Sequence, residues 1–217
     1  EPVLLARRTG GLVVAGPDRV AAGRLALESE DCDILISDDG LQHYRLQRDL
    51  EVVLVDAERG FGNGRCLPSG PLREPTGRLE SVDLVIYKAA AEAPEPAMRL
   101  VPGELVSLGH PESTRPLSAL AGVRVCAVAG IGNPGPFFAS LREAGLDPTE
   151  RPYPDHHDFS AEEVAAWPHL PVIMTEKDAV KCAPYARGDH WYLPVEAELD
   201  ASLLDDLLSK LAGPTHG

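Results

Sequence analysis

The sequence predicts an α/β protein with a mostly parallel sheet, helices on both of its faces and a smaller C-terminal α/β lobe. Short apolar, β-branched runs recur along the 217 residues. Several of these runs are nearly continuous rather than alternating, which is typical of strands buried on both faces. Segments with helical periodicity stand between the runs, and this alternation favours helices packed against a sheet.

The apolar runs predict eight strands, and the helical segments between them predict five helices. The strands are expected at residues 3–5, 12–15, 33–37, 50–55, 82–87, 123–129, 172–174 and 191–195. The helices are expected at residues 19–28, 136–144, 161–167, 179–184 and 199–211. Ligands of such sheets bind at the carboxyl ends of the strands, so residues that follow a strand are the first candidates for a site.

Composition along the chain predicts three consecutive segments. Residues 1–90 are predicted to form the C-terminal part of a core, with a strand that ends in a Walker-B-like acidic pair and an arginine-rich loop, and residues 121–217 are predicted to form a C-terminal α/β lobe. Residues 91–120 are predicted as a linker or hinge, because the chain from 89 to 102 is rich in Ala, Pro and Glu and poor in strand-forming residues. Residues 60–80 hold five glycines and three prolines, which predicts a long ordered loop.

The charge balance limits the partners of the protein. Its formal net charge is −14 and its pI is about 4.8, which argues against nucleic acid or an anionic membrane as a general partner. An anionic ligand would therefore need a local basic site.

No apolar run reaches the ~18 residues of a membrane span. The four cysteines are dispersed along the chain, and they predict neither a zinc site nor a disulfide framework.

Two acidic residues end the predicted strand at 33–37. Asp38 and Asp39 stand directly before Gly40. Carboxylates at the carboxyl edge of a sheet are suited to hold Mg²⁺ and, through it, a nucleotide phosphate. The same residue types also form turns that simply end a strand, so the pattern alone leaves both interpretations open.

A group of arginines follows this acidic strand end. The six are Arg45, Arg48, Arg59, Arg65, Arg73 and Arg78. Five acids share the same span, so its local net charge is +1 in a protein of −14. Guanidinium groups suit bidentate phosphate recognition, although any one of these arginines could be an ordinary surface residue.

A His-containing segment precedes the predicted helix at 161–167. Asp155 stands beside His156, and an Asp next to a His can orient an imidazole that acts as a general base. Ser160 is a good N-cap, so the segment is equally suited to be a turn that starts the helix. Both interpretations stay open.

The strand at 172–174 also ends in polar residues. Lys177 could face a phosphate there, or it could pair with Glu176 or Asp178. A P-loop would need the pattern G-x-x-x-x-G-K-[ST], and the sequence contains no Gly-Lys pair. The residues alone thus predict an acidic, metal-binding edge without a phosphate cradle.

Several sequence strings occur in a recognisable order. They are Ser37–Leu46, Arg59–Gly64, Leu67–Glu74, Ala129–Gly132, Pro154–His156 and Met174–Lys181. Together they resemble the tetraacyldisaccharide 4'-kinase family, and the resemblance extends from Glu1 to Val195. The family's enzymes phosphorylate the 4'-position of the lipid A disaccharide precursor, in lipopolysaccharide biosynthesis.

The resemblance implies a P-loop-kinase-like fold, ATP and Mg²⁺ as cofactors, and the lipid A disaccharide precursor as substrate. It implies a peripheral location at the cytoplasmic face of the bacterial inner membrane. The family's Walker-A loop and its membrane-contacting segment lie upstream of the part that matches Glu1. The resemblance therefore implies a chain without its nucleotide loop, and leaves open whether this chain alone folds and is active.

The resemblance also implies a role for individual residues. The catalytic residues would be Asp38, Asp39, Gln42, Arg73, Glu74 and His156. Asp39 and Glu74 would hold the metal, while Arg19 and Arg73 would bind the cofactor. His156 would take the proton of the sugar hydroxyl, and His157 inherits no role.

Two other classes of function are considered. A metal-dependent phosphoesterase could use Asp38, Asp39 and the 155–157 segment as ligands of a two-metal site. A non-catalytic fragment or binding scaffold would agree with the absent Walker-A pattern. Phosphate release without ATP would favour the first, and absence of nucleotide binding would favour the second.

Overall fold

The computed structural model describes residues 1–88, 94 and 96–211. The helices in this part of the chain are α1 (Pro2–Thr9), α2 (Arg19–Ser29), α3 (Gly135–Glu143), α4 (Ala161–Ala165), α5 (Glu176–Cys182) and α6 (Ala201–Leu211). The strands are β1 (Val52–Asp56), β2 (Leu84–Lys88), β3 (Ala97–Pro102), β4 (Leu105–Ser107), β5 (Thr114–Arg115), β6 (Arg124–Ala129), β7 (Asp147–Pro152), β8 (Val172–Thr175), β9 (His190–Leu193) and β10 (Val195–Leu199). Of the helices described, none is both long and apolar enough to cross a membrane.

The chain forms two compact units, each built from two separate stretches. Unit 1 contains residues 1–13 and 102–196, and unit 2 contains residues 14–101 and 197–217. The three consecutive segments expected from composition stay a prediction. Strands β3, β4 and β5 lie within the predicted linker at 91–120, while residues 89–93 and 95 of the linker region lie outside the described residues.

The sheet of unit 1 has the strand order β5-β4-β9-β8-β6-β7. Strands β7, β6, β8 and β9 are mutually parallel, and β4 pairs antiparallel with both β9 and β5. The predicted α/β class with mostly parallel strands is confirmed. Because β6, β7 and β8 are parallel, the residues that follow Ala129, Pro152 and Thr175 lie at one edge of the sheet.

The core of unit 1 lies on both faces of this sheet. Odd-numbered residues of β6 from 125 to 129 belong to one buried apolar cluster, and residues 126 and 128 belong to another. The first cluster includes Leu105, Leu141 and Ile173. The second includes Phe159, Val164, Trp167 and Met174. Alternate side chains point to opposite faces of a strand, so two covered faces explain the continuous apolar run at 123–129.

The sheet of unit 2 has the strand order β1-β2-β3-β10, in which β1, β2 and β3 run parallel. Asp56 and Lys88 are paired at the carboxyl ends of β1 and β2, and their charged groups lie 3.9 Å apart. On the C-terminal helix, the Lys210 ammonium donates to the Asp83 carbonyl at 3.0 Å. This bond ties α6 to the start of β2.

Three predicted strands are wrong. Residues 3–5 lie in α1, which has Pro2 in its first turn and ends at Gly10 with φ 65°. Residues 12–15 and 33–37 form no strand, and the side chain of Ile36 is 93% exposed. A strand needs a neighbour for its backbone hydrogen bonds, and within the described residues no strand pairs with 33–37.

One buried histidine in unit 1 predicts a pH-dependent stability. His190 is 1% exposed, and its Nδ1 has no hydrogen-bond partner among the described residues. Burial lowers the pKa of His190, and the nearby Asp189 carboxylate opposes this only in part. In the unfolded chain His190 takes up a proton near pH 6.5, whereas in the folded chain it takes up that proton only at a lower pH.

The free energy of unfolding should therefore fall as the pH is lowered below about 6.5, by no more than about 1.4 kcal/mol per pH unit, the limit for one proton. Denaturant unfolding at several pH values measures this slope. His190→Phe should reduce it. The control His110→Phe should keep it, because the side chain of His110 is 72% exposed. Equal slopes in wild type and His190→Phe would contradict this assignment.

Candidate functional site

The acidic pair predicted as a metal site lies in a tight turn of unit 2. Asp38 and Asp39 are both exposed, and Asp39 has a φ of 53°. A Cβ at Gly40 would stand 2.7 Å from the Ser37 hydroxyl oxygen, so a larger residue there would displace the Ser37 side chain. The Arg48 guanidinium donates to the carbonyls of Gly40 and the next residue, both at 3.1 Å. These two hydrogen bonds hold the backbone of the turn in place.

Positive φ angles distinguish two predicted site residues. Among the non-glycine residues that the structure describes, only Asp39 and His156 have positive φ, at 53° and 59°. Asp and His tolerate this region better than most residues, but it still costs on the order of 1 kcal/mol. Strain of this kind clusters at functional sites, which supports the choice of these two residues.

Gln42 contacts both Arg73 and Glu74, which lie 31 and 32 residues further along the chain. The Gln42 side-chain amide donates to a Glu74 carboxylate oxygen at 3.0 Å. Its carbonyl oxygen accepts a hydrogen bond from the Arg73 guanidinium at 3.4 Å. Both ends of the amide are engaged, so its orientation is set. Three of the predicted catalytic residues therefore form one cluster.

Glu74 carries a stable negative charge. The hydrogen bond from Gln42 lowers the pKa of Glu74 most, and the Tyr44 hydroxyl lowers it further. The Arg78 guanidinium lies 3.3 Å from the other carboxylate oxygen and acts in the same direction. Glu74 is thus ionised at neutral pH, as a metal ligand must be.

An ion-pair network contacts Glu74 of this cluster, and it was not predicted from the sequence. Glu51 contacts Arg48 at 2.9 Å and Arg78 at 2.6 Å. Arg48 holds the acidic turn, and Arg78 contacts Glu74. Two of the six clustered arginines are therefore braces within the unit. The Glu51–Arg78 pair joins residues 27 apart, and a pair at this separation has no local signal in a sequence.

The Gly/Pro-rich loop that presents Arg73 and Glu74 is tightly packed. The Asn63 amide donates to the Ser69 carbonyl at 2.9 Å, and its oxygen accepts from the Arg65 backbone N–H at 3.1 Å. A Cβ at Gly70 would lie 2.3 Å from the Arg65 carbonyl oxygen, a clash with backbone. The chain that ends at the cluster is thus ordered, as predicted for this region.

A cavity of about 490 Å³ in unit 2 adjoins the start of α2. Its lining includes Arg19, Arg45 and Gln42. The Arg19 Nε is buried and has no hydrogen-bond partner among the described residues. The Asp18 carboxylate lines the same cavity, and one of its oxygens caps α2 by accepting the backbone N–H groups of residues 20 and 21. The cavity therefore offers guanidinium groups to an anion.

His156 lies in unit 1, in the turn that follows β7. Its backbone N–H donates to Asp155 at 3.1 Å, and its imidazole Nε2 lies 3.7 Å from the other Asp155 oxygen. The side chain is 74% exposed. His157 is instead fixed in the protein, because it stacks on Tyr153 at 4.7 Å and contacts Glu163 at 3.1 Å. Of the two histidines, His156 alone is presented to solvent.

The start of α5 has other partners than the sequence predicts. Lys177 pairs with Glu1 rather than with either of its acidic neighbours, and this contact lowers the pKa of Glu1. Glu176 accepts a hydrogen bond from the Arg8 Nε at 3.0 Å. Sequence neighbours on a helix point in different directions, so both residues find their partners on α1 or just before it.

Over residues 1–88, 94 and 96–211, no three His, Cys, Asp or Glu side chains lie together as a metal-binding group. Oxygen ligands for a cation are nevertheless present at the predicted positions Asp39 and Glu74. The Asp39 carboxylate is exposed, and Glu74 is ionised. Carboxylate oxygens are the donors that Mg²⁺ prefers, and it commonly uses one or two of them together with phosphate oxygens.

Mostly parallel sheets, an acidic turn and clustered arginines define an α/β protein with a candidate site for an anionic ligand. Residues 1–212 match the family model described as LpxK, tetraacyldisaccharide-1-P 4'-kinase. The chain belongs to this family, and the family resemblance noted in the sequence is confirmed.

Known proteins of this family are similar over nearly the whole chain. The tetraacyldisaccharide 4'-kinase of Nitrosococcus oceani is 48% identical over 97% of this chain and 62% of its own length. That of Pseudomonas paraeruginosa is 52% identical over 91% of this chain and 60% of its own length. This chain thus spans about three-fifths of these relatives.

A crystal structure of LpxK from Aquifex aeolicus in complex with ATP is also similar. It superposes with a TM-score of 0.72 at 26% identity, covering 97% of this chain and 68% of the other. The fold expected from the sequence is therefore confirmed from a solved structure as well as from the strand order.

Proposed function

We propose that this chain carries phosphoryl-transfer residues of a tetraacyldisaccharide 4'-kinase. The reaction moves the γ-phosphate of ATP to the 4'-hydroxyl of the tetraacyldisaccharide 1-phosphate precursor of lipid A. The observation that carries the proposal is the Arg73–Gln42–Glu74 cluster in a chain that matches this family over residues 1–212. Phosphoryl transfer depends mostly on positioning and charge neutralisation, which such a cluster supplies.

The arginines of unit 2 are suited to the phosphates of ATP. Arg19 lines the 490 Å³ cavity, its buried Nε has no hydrogen-bond partner in the part of the chain that the structure describes, and Arg45 lines the same space. Arg73 is exposed and is oriented by Gln42. Guanidinium groups bind phosphate oxygens with two parallel hydrogen bonds, so these three residues would hold and orient the transferred group.

Asp39 and Glu74 are the residues that would hold Mg²⁺. When bound, the ion would neutralise charge on the phosphate oxygens. Both oxygens of Glu74 already have partners, but a carboxylate has about four lone-pair sites and can accept more. The backbone of Asp39 is fixed by the turn that Arg48 holds, so its carboxylate needs little reorganisation to bind.

His156 is the proposed general base. Its imidazole would accept the proton of the 4'-hydroxyl, and its Nε2 lies 3.7 Å from an Asp155 oxygen. The Asp155 carboxylate would then stabilise the imidazolium that forms. The exposure of His156 is consistent with a role on a large substrate.

The substrate places the reaction at a membrane surface. Acyl chains keep a lipid precursor in the bilayer, so we propose that the protein acts peripherally at the cytoplasmic face of the bacterial inner membrane. Membrane contact would come from the upstream segment that the family resemblance implies.

A metal-dependent phosphoesterase is not favoured, because the described residues hold no cluster of three metal-ligating side chains.

Label transfer tests the proposed function. The full-length gene product is incubated with γ-labelled ATP, Mg²⁺ and tetraacyldisaccharide 1-phosphate in detergent micelles. The lipid should become labelled, and a 4'-deoxy analogue should not. Release of free phosphate from phosphoesters without ATP would support the phosphoesterase instead. Absence of both transfer and ATP binding would support a scaffold.

A further inference from the structure

Helix α5 contacts two loops: the loop that follows β6, and the turn after β7 that contains the predicted base His156. Asp178 is fully buried on this helix. One of its carboxylate oxygens accepts the Gly130 backbone N–H at 2.8 Å and the Thr175 hydroxyl at 2.6 Å. Gly130 begins the loop after β6, so Asp178 fixes that loop to the end of β8.

Lys181 lies one turn further along α5 and holds the second loop. Its ammonium donates to the His157 carbonyl at 2.9 Å. It also lies 3.8 Å from the second oxygen of Asp178, which accepts no hydrogen bond from any described residue. The buried carboxylate therefore has a nearby positive charge, and that charge in turn is directed at the backbone of the His156 turn.

The two loops also contact each other. The Tyr153 backbone N–H donates to the Ala129 carbonyl at 2.8 Å. A Cβ at Gly130 would stand 2.9 Å from Asp178, and one at Gly132 would stand 3.4 Å from Asp155. Glycine is thus needed at 130 for this packing. Asp155, which contacts both the backbone and the ring of His156, rests on the loop that Asp178 anchors.

We propose that Asp178 and Lys181 are positioning residues that hold the His156 turn in its reactive geometry. The inference rests on the proposed role of His156. Asp178 acts through Gly130, and Lys181 acts through the carbonyl of His157. The turn includes a strained residue, His156 at φ 59°, and such a conformation persists only where the surroundings enforce it. A displacement of about 1 Å at a reacting group can cost about a hundredfold in rate.

The test uses Lys181→Met in the full-length gene product. Measured well below the thermal midpoint, its kcat should fall about 10- to 100-fold, with KM for ATP changed less than about twofold. The thermal midpoint itself should fall, because the buried Asp178 carboxylate loses its nearby positive charge. Lys181→Arg keeps a donor and should restore part of the rate. The matched control is Lys210→Met, which removes another lysine-to-carbonyl bond, to Asp83, and should leave kcat unchanged.

The double variant separates positioning from general support. If Lys181 acts through His156, then Lys181→Met should add little to the loss in a His156→Ala background. Equal fold losses in both backgrounds, measured well below the thermal midpoint of each variant, would show a general structural role and overturn the inference. If Lys181→Met had the wild-type rate while His156→Ala was inactive, the positioning role of Lys181 would be overturned and the proposed base would stand. A wild-type rate for His156→Ala would overturn the proposed base as well.

Discussion

Asp39→Asn should lower kcat for lipid phosphorylation at least about a hundredfold in the full-length gene product, the loss typical of removing one preorganised electrostatic contact. Asparagine tolerates the positive φ of this position, so the substitution removes the charge and keeps the turn. Asp39→Ala should show at least the same loss. Steady-state kinetics with saturating lipid at several Mg²⁺ concentrations measures it, and the Mg²⁺ requirement should rise.

Asp49→Asn is the matched control for this experiment. Asp49 is an exposed carboxylate ten residues further along the same unit. Removing its charge alters the local field by the same amount, without touching the acidic turn. If Asp39→Asn and Asp49→Asn had equal, near-wild-type rates, Asp39 would be only a turn residue, and its assignment as a metal ligand would be wrong.

His156→Ala should reduce kcat by about 10²- to 10⁴-fold, the contribution usual for a positioned general base. A base must be deprotonated to act, so the wild-type rate should rise with pH until the base has lost its proton. The variant should lose that rise. The pH dependence of kcat, measured for both proteins, gives the result.

The control for His156 is His110→Ala. His110 has a similar exposure, 72% against 74%, and like His156 it lies close to an acidic residue, Glu112, at 3.5 Å. Its replacement should change neither kcat nor the pH profile. An unchanged profile for His156→Ala would support the alternative in which the Asp155–His156 pair merely forms the turn before α4.

Strands β6 and β8 could be predicted because burial on both faces leaves a continuous apolar run. Strand β7 could not, since Asp147–Pro152 has little apolar character and becomes a strand through its pairing with β6. Helix α1 was mistaken for a strand because a three-residue run of Val and Leu fits both periods. Pro2 and Gly10, which favour helix starts and ends, were the signals available.

Candidate site residues could be named from the sequence because their strings resemble a known family, but the contacts between them could not. Nothing local connects Gln42 to Glu74, and only the folded loop places them 3.0 Å apart. The Glu51–Arg78 ion pair and the bond from Lys181 to the His157 carbonyl could not be predicted for the same physical reason. They join residues 27 and 24 apart, and charged residues of these types are common on ordinary surfaces.

The interleaved composition of the two units sets the order in which they can be finished during synthesis. Unit 1 needs residues up to 196, and unit 2 then still lacks the end of β10 and all of α6. Lys210, whose ammonium bonds the Asp83 carbonyl, leaves the ribosome more than a hundred residues after its partner. The arginine cluster of unit 2 precedes most of unit 1 in the sequence, yet it belongs to the unit that is completed after unit 1 during synthesis.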